Sequence, residues 1–246
     1  MASGPGFLEI LVQTLESGGI DVRGWALAWA RISPSVAIVP AFGLRGTPGP
    51  VRVALGLALA ASVAPALAPT SNDLRPWPIA LLMETAKGLP IALTAAIALW
   101  TATMAGGLID NLRASREGAN VPVLDPDSTP LGVLLGLLSA VAFLRMGGPS
   151  RIAKLVANDA LEFHRPLLAA VSHLTHGIEL AVLIAAPVVA AAIVLEVAGA
   201  LVARAASPAY VQQLIAPLRS LVLLALAALL LERMLELLVR FGAGVP

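Results

Sequence analysis

Long apolar runs alternate along this chain with short charged or Gly/Pro-rich breaks. The clearest run is 88–109, in which no residue carries a charge; Asp110, Arg113, Arg116 and Glu117 then arrive together. A helix of about 20 residues crosses a hydrocarbon core. The helix predicted over 79–109, with Pro90 as an internal kink, is long enough to cross and project. Before it, residues 7–16 (FLEILVQTLE) read as a short amphipathic helix ended by Ser17-Gly18-Gly19. Residues 22–32 form a second short apolar segment, broken by Pro34 and Pro40, and 41–50 form a Gly/Pro turn. Residues 51–68 approach a span, with Arg52 at one end and Pro65 inside. A polar loop follows at 69–78, where Trp77 suits a membrane interface.

After the polar insert 110–129, an apolar helix is predicted over 130–147, ending at Gly147-Gly148-Pro149. Residues 150–166 are amphipathic, with Arg151, Lys154, Asp159, Glu162 and His164 set among Ile152, Leu155, Val156 and Leu161. Two long helices complete the chain, 167–206 with a kink at Pro187 and 209–240, joined at Ser207-Pro208 as a hairpin.

Composition turns these runs into a class. The 246 residues are 58% hydrophobic and only 13% charged, with a mean hydropathy of +0.88. Soluble domains carry about 25% charged residues, so too little polar surface is left to coat a soluble globule. Lipid offers no partner to exposed backbone groups, and continuous runs rather than alternating short strands favour helices over a barrel. The expectation is an all-α, polytopic membrane protein. A net charge of +1 and 4% aromatic residues argue against nucleic acid as a partner. The absence of cysteine excludes disulfides, thiolate metal sites and a Cys nucleophile. The N-terminus lacks a basic region, and Glu9 and Glu16 interrupt its apolar run, so no cleavable signal peptide is expected. Basic residues spread over nearly every loop give no clean orientation.

Four groups of polar residues are candidates for chemistry. Glu84 and Lys87, at i and i+3 in METAKG, are either a local ion pair or a buried pair facing a neighbouring subunit. Glu196 stands alone in a charge-free run from Leu180 to Ala203. A carboxylate at membrane depth costs roughly 2.5–3.5 kcal/mol, so it should be protonated, paired, or facing a wet cavity or protein interface. Arg204 lies eight residues on, nearly on the same helix face. Packing or subunit contact is the favoured role for both, since no second carboxylate completes a proton relay. His173, His176 and Glu179 are spaced i, i+3, i+6; the third is too far round to chelate, so no metal is expected. No P-loop, dinucleotide fingerprint, nucleophile elbow or zincin motif is present. No enzyme activity and no cofactor are expected.

The polar insert carries a resemblance. IDNLRAS (109–115) resembles a motif of the T subunit of the bacterial type III secretion export apparatus, the SctT family, homologous to flagellar FliR. Other stretches agree in order: R-x-x-P from Arg31, PAFG from Pro40, Pro50 with ALGLALA, and Glu84 with Gly88. DPDSTPLG (125–132), AFLRMGGP (142–149) and the 186–210 segment holding Glu196 and Arg204 continue the series. The resemblance spans roughly 25–240. It implies a non-enzymatic export-gate subunit of the bacterial inner membrane, at the base of a secretion system. Its partners would be the R and S subunits, the switch (U) and export-gate (V) subunits, membrane lipid and exported unfolded proteins. Residues 1–166 would form an R-like portion and 167–240 an S-like helical hairpin. The loop 106–129, through Gly106, Gly107, Asp110, Asn111, Arg113, Arg116, Asp125 and Pro126, would line or close the channel. Glu84, Lys87, Glu196 and Arg204 would be subunit contacts or intramembrane polar residues. By the same resemblance, apolar helices would assemble into a cone largely above the membrane plane. IDNLRAS favours the injectisome branch. The alternatives are the flagellar homologue and a small-molecule transporter using Glu196.

Overall fold

The structure, a computed structural model, describes residues 14, 16–19, 21–42, 48–66, 76–113, 129–157, 164–205 and 208–244. The amphipathic helix expected over 7–16 lies almost wholly outside them. Among the described residues there are seven α-helices, one 3-10 turn and no strand. The helices are α1 (Val22–Ile38), α2 (Gly49–Val63), α3 (Trp77–Leu112), α4 (Pro130–Arg145), α5 (Gly148–Ala157), α6 (His164–Ala205) and α7 (Pro208–Gly244). Among the described residues three helical stretches are long and apolar enough to span a membrane, Gly49–Ala66, Trp77–Leu112 and Ala170–Ala205; a fourth exists if α4 and α5 form one bent span. The chain is an all-α, polytopic membrane protein.

Helix α1 corrects the break expected at Pro34, because it runs through that proline to Ile38. Proline cannot donate to the carbonyl four residues back, which is that of Ala30. The Ser33 hydroxyl donates to this carbonyl instead, at 2.9 Å. The first turn is capped by the Asp21 side chain, which accepts from the Gly24 N–H at 2.9 Å.

Helix α3 is the spine. Its 36 residues make it roughly 54 Å long. Arg23 lies over the Trp77 ring and Arg31 bonds Glu84, so α1 runs parallel to the first half of α3. Gly106 meets Gly132, and Thr103 faces Gly136, so α4 runs antiparallel to its second half. Gly177 faces Thr101, placing α6 alongside, and α7 returns against α6.

Two apolar cores result. One joins Ile32 and Val36 of α1, Ala60 and Val63 of α2, Ile91 and Leu99 of α3, and Ile152 and Val156 of α5. The other joins Ala105 and Ile109 of α3 to Leu135 of α4, Ile184 and Val188 of α6, and Leu223 of α7. The most apolar 18-residue stretch of α3 is accordingly 67% buried by its own chain, whereas that of α6 is 28% buried.

Helices α4 and α5 meet at a bend of 63°. Gly147 stands there at φ +73°, a left-handed conformation that an L side chain strains to adopt. The amphipathic segment expected over 150–166 begins at Gly148 and is helical to Ala157; 158–163 lie outside the described residues.

Candidate functional site

Polar chemistry concentrates at the two ends of the uncharged stretch of α3. At the first end, Arg31 projects from α1 and is buried, only 4% exposed. Its Nε donates to Glu84 Oε2 at 2.5 Å, and its Nη1 donates to the Val156 carbonyl at 3.0 Å. Lys87 Nζ donates to the other Glu84 oxygen at 2.7 Å. One carboxylate therefore joins α1 to α3, while the guanidinium ties both to the end of α5. Of the two readings of Glu84 and Lys87, the local i, i+3 pair is present, but the principal partner of Glu84 is Arg31, 53 residues away. The close approach depends on Gly88, since a Cβ there would run into the Arg31 carbonyl oxygen.

At the second end, α3 runs to Leu112 rather than stopping at Ile109. Gly106 and Gly107, which the resemblance assigns to the channel loop, are helical, as are Asp110 and Asn111, read from the sequence as the start of the polar insert, and Arg113 caps the helix. Gly106 is a contact surface: a Cβ on it would lie 2.5 Å from the Gly132 Cα, so only hydrogen allows α3 and α4 to meet. Asp110 is fully buried. Its Oδ2 accepts the Leu131 N–H at 2.6 Å, and its Oδ1 accepts from Arg113 Nη1 at 2.9 Å.

The N-cap of α4 is Thr129, whose side chain makes no capping bond. The cap is supplied by Asp110 from α3 instead. A carboxylate at a helix N-terminus meets both an open backbone donor and the positive end of the helix dipole. Asp110 thereby clasps both sides of the polar segment, bonding Arg113 before it and the Leu131 N–H after it. Arg116, Asp125 and Pro126 fall within 114–128, outside the described residues.

Glu196 and Arg204 are not brought together by the fold. Glu196 faces across the hairpin to Arg219 of α7, at 3.5 Å, and is 68% exposed. Arg204 is exposed near the end of α6. His176 Nδ1 lies 2.8 Å from the Ser172 carbonyl oxygen. Among the described residues no group of three metal-ligating side chains occurs.

Sequence reasoning attached no role to Arg31 or Arg219. The available signal was energetic: a cation in an otherwise apolar helix needs a carboxylate or carbonyl partner.

A family model for bacterial export proteins, family 1, matches residues 22–242. The chain belongs to that family. The match begins at the first residue of α1 and ends within α7, so it embraces both polar anchors and the hairpin of this export protein. No curated protein matches the chain significantly.

Proposed function

We propose that this export protein is a non-enzymatic core subunit of a type III protein export gate in the bacterial inner membrane. The family match over 22–242 carries the reading, and the exposed apolar surface agrees with it. Beyond the last buried residue of α6, Ala192, the hairpin continues with Ile193, Val194, Val197, Leu201 and Val202 exposed. Leu218, Leu221 and Val222 on α7 are exposed as well. These side chains need lipid or protein to cover them. The R and S subunits are the proposed cover, with 167–240 as the S-like hairpin, 1–166 as the R-like portion, and the U and V subunits further out.

The segment 114–128, held between ends that Asp110 clasps, is the proposed contribution to channel closure. IDNLRAS favours the injectisome over the flagellar branch. A carrier built on Glu196 is not favoured: its side chain lies exposed against Arg219.

The test is affinity purification of the tagged chain in mild detergent, followed by mass spectrometry. R- and S-type export subunits are expected in the eluate. A stable, monodisperse chain recovered alone from cells that express those subunits would overturn the proposal.

A further inference from the structure

Between α3, α4, α5 and α7 lies an apolar cavity of ≈ 50 Å³, lined by Ala98, Ala142, Phe143, Leu155 and Val239 among others. Arg151 also lines it and is itself exposed, so a cation stands where the cavity meets the surface. At about a third of the 150 Å³ that holds a benzene ring, the space suits a slender hydrocarbon chain end rather than a ring.

The surroundings select an amphiphile with an anionic head. Helix α5 sits at 63° to α4. It buries Ile152 and Val156 while exposing Arg151 and Lys154, and Arg145 is exposed at the end of α4. With its apolar face in the protein core, this short helix turns its basic face outward, where an anionic headgroup can reach it. The level agrees. Val156 at the end of α5 is bonded to Arg31, beside Glu84 and Lys87. From Lys87 the charge-free run 88–109 begins, 22 residues or about 33 Å of helix, close to the roughly 30 Å of a hydrocarbon core. On the α7 side of the rim, Glu236 is paired with Arg240 at 2.6 Å and Glu232 adjoins Arg233, so that side is close to neutral. The positive charge comes from the α4–α5 bend.

We propose that this cavity is a site for an anionic phospholipid: part of an acyl chain lies in the apolar cavity, and the phosphate is held by Arg151 with Lys154 and Arg145. The site requires a membrane-embedded chain but not the export reading, so either can fail alone.

The test uses the full chain purified in detergent and titrated with phosphatidylglycerol or phosphatidylcholine, with bound lipid counted by native mass spectrometry. Phosphatidylglycerol is retained in preference. R151Q/K154Q, two changes at exposed positions, weaken that retention by about fivefold for each cation removed, with helical content unchanged. Ala142→Phe fills the groove and abolishes retention of both lipids. Equal retention of the two lipids overturns the proposal, as does an R151Q/K154Q chain that still folds and binds phosphatidylglycerol like the wild type. If Ala142→Phe instead blocks copurification of a protein chain while lipid retention is unchanged, the groove belongs to a protein partner and the lipid site is wrong.

Discussion

Asp110, Glu84 and Glu196 are three carboxylates in an apolar chain, and their surroundings assign them different weights. Asp110 is fully buried, accepts one backbone N–H and pairs with Arg113. Removing one partner of a buried pair leaves the other uncompensated, which costs about 3–5 kcal/mol. Glu196 is 68% exposed, and its bond to Arg219 is 3.5 Å long. Exposed pairs contribute about 0–1 kcal/mol. Asp110→Ala is therefore expected to destabilise the chain by several kcal/mol and Glu196→Ala by less than about 1 kcal/mol. Asp110→Asn, which keeps an oxygen for the Leu131 N–H but loses the charge opposite Arg113, should fall between. Thermal unfolding of the three variants in one detergent measures the order. Equal midpoints for Asp110→Ala and Glu196→Ala would show that the clasp contributes nothing to stability.

At the scale of elements, glycines decide how near the helices come. Gly88 leaves no room for a Cβ against the Arg31 carbonyl. A methyl group there has to part α1 from α3, and the separation would stretch the Arg31–Glu84 bond that lies one turn away. Forcing extra volume into a packed contact costs typically about 1–3 kcal/mol. With the strained ion pair added, Gly88→Ala should reach the upper end of that range. Gly49 has open space around it, so Gly49→Ala serves as the control and should leave the midpoint nearly unchanged. Comparable unfolding midpoints for the two alanine variants would rule out the tight α1–α3 contact.

The existence and order of the helices were legible in the sequence because unbroken apolar runs of this length have no other solution in lipid. Their ends and their polar contacts were less legible. Pro34 signalled a break that Ser33 repairs locally, through the Ala30 carbonyl. Four charges in eight residues signalled a loop from Asp110. One of those charges is instead the cap of a helix that begins 20 residues later, and the group it caps is a backbone N–H with no side-chain signature. Arg31 and Glu84 are too far apart in sequence for periodicity to pair them.

For the molecule as a whole, the described helices form one frame. The frame is α3 with α1 and α5 at one end and α4, α6 and α7 at the other, fixed by the Arg31–Glu84 and Asp110–Leu131 contacts and by two apolar cores. In sequence, 114–128 runs between Arg113 and Thr129, and Asp110 bonds on both sides of it, to Arg113 and to the Leu131 N–H. The entropic cost of closing a segment between fixed ends is set mainly by its length. Replacing 114–128 with a neutral Gly/Ser stretch of equal length, while keeping Asp110, Arg113 and Thr129, should thus leave the unfolding midpoint within a few degrees of wild type. Under the proposed function the same replacement should change secretion, either abolishing export or letting it leak, because the charges of Arg116, Glu117, Asp125 and Asp127 are lost without disturbing the frame. Unfolding in detergent and a secretion assay on the same variant separate the two roles. A normal midpoint with normal secretion would remove the segment from gating and leave the clasp as a structural feature. A collapsed midpoint would mean that 114–128 belongs to the frame.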